Sequence, residues 1–571
     1  MRHGKASVFV IGVLVTASLG LTAACGSKSS GGGTDGGKAD AQGDSSVPPG
    51  TDATSGGDTG TAPPGSDSGT PGGDSGAPGS DSGIPPGDTG SADTAPPPVV
   101  GVIQHHNDGY RDGRYVDDIF TSGDAGAAST THLITSFAGD LTGNVYAQPL
   151  WVENGPGGNE AFIVATESNH VTAIGASGAT VWDQSYGPPV PLNKLPCGNI
   201  NPLGISGTPY IDVASRTIYF DEMTSPDNNV TLKHMIYAVS LDDGSVRTGW
   251  PVDVSATLTT FDSSHQNERG ALQLLNGVLY VPYGGHDGDC DPYFGWVVGV
   301  PITASGPGTP TGWHTTASRG GIWGAGSLPT DGTSIFPVTG NTSGTTTWGG
   351  GEAVLRLGAG PTFSGAKADY YTPSNWNDLD NDDLDLGGAN DFLLDMPGAP
   401  YPHLVVAPGK DQNLYLLNRD SLGGIGAELS KTQVASGELN AAGATFQTAS
   451  GTYVALHVAV NSSGFGCPDG NTGNLVVAKI TAGSPPTAAV VWCAPDQGLG
   501  SPIVTTTDGS SDPIVWDANG TLWAYDGETG QKLFSGANTQ MAMGMQYFNT
   551  PIDTKGRIAV ATAQRLYIFT P

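Results

Sequence analysis

Apolar residues in this chain fall in short runs broken by turn residues, and a sustained helical period is almost nowhere to be found. Phe162–Thr166 leads to His170–Ile174, then to Gly178 and Trp182. Met235–Val239 leads to Gly244 and Trp250, and Thr521–Tyr525 to Gly530 and Phe534. Each unit reads as a strand, a turn with glycine supplying positive φ, and a second strand ending in an aromatic residue. That aromatic is large enough to wedge between neighbouring sheets. A second pattern precedes these hairpins: small or polar residues lead into a short apolar strand. It occurs at Tyr146–Leu150, Gly207–Ile211, Arg269–Leu272, Gly324–Leu328, Asp391–Leu394, Gly443–Phe446, Gly500–Ile503 and Asn549–Ile552. Eight such starts, recurring every 45–65 residues or so, predict an all-β, eight-bladed β-propeller with seven blades as the fallback. Glycine and alanine suit innermost strands that crowd around one axis. The chain ends on the strand Arg565–Phe569, so closing the ring requires an N-terminal strand, which Thr131–Phe137 can supply.

Composition limits how much of the chain folds this way. Residues 1–25 read as an export signal: Arg2, His3 and Lys5, then an apolar run from Ala6 to Ala24. The ending Leu21–Cys25, followed at once by a Gly/Ser run, resembles the lipobox of bacterial lipoproteins, in which the cysteine takes a diacylglycerol. Thr22 stands where that pattern usually has Leu, with Leu21 one place further back. Cys25 is therefore the expected lipidation site; an uncleaved anchor or an ordinary cleaved signal are the alternatives. Residues 26–99 contain no aromatic residue and carry a seven-residue Asp-Ser-Gly repeat starting at Asp67, Asp74 and Asp81. They cannot bury enough apolar surface to offset chain entropy, which predicts a disordered tether spanning about 45–50 Å on average. Ten aspartates against Lys28 and Lys38 leave the tether at −8, and residues 100–571 carry −26 of the chain's −32. Such an acidic body repels phosphate backbones, which excludes nucleic acid as a natural partner.

Apart from Cys25 the cysteines are Cys197, Cys290, Cys467 and Cys493. An even set in an exported protein implies disulfides. Three pairings are possible; the expected one is Cys197–Cys290 with Cys467–Cys493, the latter closing a local segment. No CxxC, HExxH or GxSxG occurs, so spacing offers no zinc site or nucleophile elbow. His265, His286 and His403 read as structural or surface residues, and Lys410 and Arg419 as counter-charges to nearby carboxylates.

His106–Gly113, Val145–Leu150, Asn199–Pro202 with Gly207–Pro209, and Gln266–Asn267 with Arg269 resemble the PQQ-binding-like, quinoprotein-type β-propeller repeat proteins of bacterial envelopes. So do Gly320–Trp323, Val338–Asn341, Asp383–Leu386 and Pro402–Lys410. The likeness covers most of residues 102–425. It implies the propeller fold and, for one branch, a quinone held over a tryptophan with Ca²⁺ and an aspartate base. Trp323 can serve as that floor, but the chain has no adjacent cysteine pair of the kind that often covers the quinone.

In a propeller the loops leading to the innermost strands converge on one face. That convergence makes Tyr146, Gln148, Asn199, Asn201, Gln266, Glu268, Arg269, Trp323, Asp385, Asn390 and Asn549 the candidate ligand residues. Amides, one arginine, one tryptophan and carboxylates suit a sugar, a peptide or another small polar ligand. The alternative is that these groups satisfy one another around a crowded axis. The run from Asp378 to Asp385 copies the first ligand positions of an EF-hand at Asp378, Asp380 and Asp382. It then fails, with Asp383 where glycine is needed and Ala389 where the bidentate glutamate belongs. Asp383 and Asp385 remain the candidates for an irregular Ca²⁺ site, and Asp378 to Asp382 read as a solvated rim. The expected protein is a monomeric lipoprotein of the outer membrane or cell surface, since Gly26 after Cys25 is not the aspartate that retains lipoproteins at the inner membrane. It acts as a non-catalytic binding or scaffold propeller for an envelope protein or saccharide, with a PQQ-dependent dehydrogenase as the alternative.

Overall fold

The computed structural model describes residues 101–123, 134–459, 463, 465–468, 470–495, 498, 500–534, 541 and 544–571. The expected signal, Cys25, the tether and residues 131–133 lie outside them. Nine sheets make up eight blades around an axis, and the eight predicted starts lie at the innermost strand positions. Seven of these are Leu150–Val152, Tyr210–Asp212, Gln273–Leu275, Phe392–Asp395, Ala444–Thr448, Ile503–Thr506 and Ile552–Asp553. Blade 4 is held by single bridges such as Thr330 to Ile335 and Val338 to Val354. Pro329 and Pro337 interrupt its pairing there, because proline has no N–H to donate to a ladder. Ring closure comes from Ile134–Asp140, which pairs antiparallel with Arg565–Thr570 in blade 8.

The aromatic wedges lie between blades as the pattern predicts. Trp182, on the outer strand of blade 1, donates from its indole to Leu241 O of blade 2 at 3.1 Å. Trp492 of blade 6 does the same to Gly527 O of blade 7 at 2.8 Å. The turn glycines Gly244 and Gly530 both have φ of 71°. A side chain at either would also press into the neighbouring indole, with approaches of 3.0 Å and 2.7 Å to ring carbons. Apolar clusters bridge each seam: Phe446, Leu475, Val477 and Trp492 meet Val504, Val515 and Tyr525 between blades 6 and 7.

The lead-in segment does something its sequence did not announce: it circles the inside of the ring. Gly101–Val102 pairs with Trp151 and Val152 of blade 1. Ile103 O then accepts from Ile211 N of blade 2 at 2.9 Å, Gly109 O from Thr330 N of blade 4 at 2.7 Å, and Tyr110 O from Leu393 N of blade 5 at 2.9 Å. Asp112 O takes Thr445 N of blade 6 and Gly113 O takes Val504 N of blade 7, at 2.7 and 2.9 Å. Arg114–Val116 runs parallel to the inner strand of blade 7, and the Asp117 carboxylate accepts from Gly556 N of blade 8. Blade 3 is held by the Arg111 side chain, through Leu272 O at 2.8 Å and Gln273 Oε1 at 3.0 Å. Gly101 lies beside Val152, the last residue of its inner strand, so the segment enters and leaves by the face opposite the mouth. This girdle runs along the inner strands and ties the blades to one another.

The disulfides are Cys197–Cys290 and Cys467–Cys493, with Cα separations of 6.0 and 5.6 Å. They fit an oxidising, exported setting. Among the described residues no helix is long and apolar enough to cross a membrane.

Candidate functional site

Above the girdle, loops from several blades bring Arg269, Trp323, Asp385, Lys410 and Phe548 together. Arg269 opens the inner strand of blade 3, and its guanidinium lies over Trp323 at 5.2 Å and over Phe548 at 5.6 Å from the ring centroids. Phe548 is held at φ 69°, a backbone region bulky side chains avoid, so its place beside Arg269 is imposed by the surrounding fold. Lys410, following the second strand of blade 5, stands 5.0 Å from the Trp323 ring centroid. Its ammonium pairs with buried Asp385, and with exposed Asp383 at 3.4 Å. Burial works against the Lys410 charge, but Asp385 and Asp383 outweigh it and hold its pKa above the ordinary value. Asp385 also accepts from Asn341 N at 2.6 Å.

A set of buried carboxyls knits neighbouring blades beneath this rim. Glu167 accepts from Gly204 N and Ser206 Oγ, both at 2.7 Å, and burial pushes its pKa up to about 7. Glu268 accepts from Gly207 N at 3.0 Å, and burial, reinforced by Asp221 and Glu167, raises it well above the carboxylate range. Glu352 accepts from Leu386 N at 2.5 Å and is likewise raised by burial and by Asp385. Burial thus favours the neutral form of Glu268 and Glu352 and brings Glu167 into the neutral range, where it changes charge. Glu167 and Glu352 were not singled out from the sequence; the available signal was a lone carboxylate just after an apolar strand or a glycine run. Phe548 carried no such signal.

The other predicted residues have different placements. Gln148 grips the girdle, accepting from His106 N at 2.9 Å and donating to Gln104 O at 3.2 Å. Gln266 binds within blade 3, to Phe294 O and N at 2.8 and 3.1 Å. Asn390 accepts from Gly326 N at 3.1 Å, and Asn549 donates to Ala147 O at 2.9 Å. Asn199 and Asn201 are exposed on the loop that carries Cys197. Tyr146 is partly buried in an apolar cluster with Ile200 and Leu203, and burial pushes its phenol up to about 12. His265 and His403 pair with Asp262 and Asp420 at 2.9 and 3.0 Å, while buried His286 meets Ser264 O at 3.1 Å. Arg419 pairs with Asp395 at 2.5 Å, the counter-charge role expected of it.

The acidic run is partly helical. Trp376–Asp382 forms a short helix that ends on Asp383 in the left-handed region, φ 55°. Asp380, read from sequence as solvated, instead accepts from Thr342 N at 2.6 Å and Thr342 Oγ1 at 2.8 Å. Helical backbone turns the alternate aspartates to different sides, which an EF-hand loop does not. Asp383 and Asp385 share Lys410, and no group of three or more His, Cys, Asp or Glu side chains among the described residues is arranged to hold one cation.

No protein-family model matches the sequence, and no curated protein does. Solved structures match the fold. The quinohemoprotein alcohol dehydrogenase ADHIIG from Pseudomonas putida HK5 aligns at TM-score 0.55 and 12% identity, over 82% of this chain and 80% of that one. A europium-containing methanol dehydrogenase aligns at TM-score 0.55 and 13% identity, over 83% and 98%. BamB from Moraxella catarrhalis aligns at TM-score 0.45 and 14% identity, over 77% and 100%. At these identities the likeness is one of architecture: the folded body of this chain is a quinoprotein-like, eight-bladed β-propeller.

Proposed function

We propose that this protein is a lipid-anchored, non-catalytic binding propeller of the bacterial envelope, taking its ligand at the channel mouth. The observation that carries the reading is the gathering of Arg269, Trp323, Asp385, Lys410 and Phe548 from several blades, above a girdle from Gly101 to Asp117 that bonds to the inner strands.

A second reading, a PQQ-dependent dehydrogenase, is favoured by one feature: a tryptophan, an aspartate and a lysine converge in Trp323, Asp385 and Lys410. The residues as arranged do not fit a quinone stacked on Trp323, because Arg269 and Lys410 already lie over its ring. The chain also has no adjacent cysteine pair to cover such a quinone. Purified protein incubated with PQQ and Ca²⁺, then offered alcohols and sugars with an artificial electron acceptor, separates the two. The binding reading expects no turnover and no quinone absorbance after gel filtration; retained absorbance with turnover would refute it.

A further inference from the structure

Among the described residues, Arg269 is the positive group at the mouth that has no counter-charge in contact. Lys410 has Asp385 and Asp383, and Arg319 has Asp289 and Asp291 at 3.1 and 3.0 Å. Among the described residues Arg269 makes no hydrogen bond and no ion pair; its contacts are the Trp323 and Phe548 rings. Its Nε is buried without a partner. The residue still reaches solvent, so the two terminal nitrogens form its accessible edge. Asp287, Tyr146, Tyr293 and Glu167 set the surrounding field, with Asp287 the leading opposite charge. A guanidinium with its Nε buried unpartnered and its terminal donors without a protein acceptor is left for water or a ligand to complete.

Resting on the binding reading above, we propose that Arg269 anchors a small monocarboxylate, gripped by its terminal nitrogens beside the Trp323 and Phe548 rings. Three observations select this class. The planar fork of a guanidinium matches a carboxylate through two parallel hydrogen bonds. Only one positive charge is uncompensated, and a monocarboxylate balances one charge. A phosphate monoester carries close to two negative charges near neutral pH, and here it would face Asp287 on a body of net charge −26. The Trp323 and Phe548 rings, in edge-to-face contact beside the guanidinium with centroids 6.4 Å apart, favour a ligand whose body is planar or apolar.

Titration calorimetry of the full chain with benzoate, phenyl phosphate and benzyl alcohol tests this, in buffer free of other carboxylates. Benzoate is expected to bind wild-type protein at least about 10-fold more tightly than either analogue. Arg269→Gln is expected to weaken benzoate about 10- to 100-fold, the span of a charge-assisted pair. Arg269→Lys, which keeps the charge but loses the fork, should fall between. Thermal unfolding distinguishes a ligand anchor from a structural arginine: R269Q should unfold no earlier than wild type in the absence of ligand. Absence of benzoate binding, equal binding by a folded R269Q, or preference for phenyl phosphate would each overturn the proposal. Failure of the binding reading has a different signature, namely alcohol or sugar turnover by PQQ-treated protein.

Discussion

Two arginines lie in the same channel and differ in almost every respect. Arg111, in the girdle, is fully buried and donates to Gln104 Oε1, His105 O, Leu272 O and Gln273 Oε1 at 2.8 to 3.1 Å. Arg269, in the rim, has two aromatic rings and no acceptor. Arg111 shares with Arg269 a buried Nε without a partner, but its terminal nitrogens are matched, and removing it strands acceptors already taken from water. A charge whose donors are idle contributes little to the fold and leaves room for a partner. The girdle of this propeller is therefore built for stability and its mouth for recognition.

The largest expected effect falls on the girdle. Arg111→Gln should destabilise the protein by about 4 kcal/mol, the range for breaking a buried, hydrogen-bonded charge, as measured by chemical unfolding. A loss below about 1 kcal/mol would mean the girdle is dispensable. The mouth's paired charge comes next. Asp385→Asn leaves Lys410 with only exposed Asp383 and should cost about 2–3 kcal/mol. The Lys410 pairing also predicts no rise in wild-type Tm on adding Ca²⁺; a rise that D385N abolishes would make Asp383 and Asp385 a cation site.

A smaller effect is pH-linked and shared by both regions. Burial raises Glu167 at the mouth from its ordinary 4.5 to about 7, and Asp112 in the girdle from 3.8 to about 8. An acid raised on folding binds more protons in the native state, so its contribution is complete below its unfolded pKa and is lost as pH rises through the folded value. Stability should thus decline between roughly pH 4.5 and 8. Glu167→Gln should flatten the part of that slope below about pH 7, changing stability at pH 8 by about 1–2 kcal/mol relative to pH 5. An unchanged slope in E167Q would show that Glu167 is charged in the native protein. The smallest effect on stability belongs to Arg269→Gln, near zero or slightly favourable.

The fold was legible because its signals are local and repeated. Gly178, Gly244 and Gly530 each take the positive φ their turns demanded, and all eight strand starts lead to the axis. The closing strand was also readable from what the ring lacked, and the disulfide pairing from an even cysteine count with one pair close in sequence. The site was less so. The hydrogen bonds of Gln148, Gln266, Asn390 and Asn549 serve neighbouring backbone, a matter of distances that spacing does not encode. The girdle was invisible for a related reason. His106 to Gly113 has no apolar period, and its bonds go to inner-strand groups that only an assembled ring brings within reach. Phe548, placed by a single unusual backbone angle, left no pattern to read.

The contrast between girdle and mouth comes down to one paired measurement: unfolding of R111Q and R269Q against wild type, without ligand, under the same conditions. The account predicts that R111Q loses about 4 kcal/mol while R269Q matches or exceeds wild type. If R269Q instead fell as far as R111Q, Arg269 would be a structural arginine and the mouth would lose its claim to a waiting ligand.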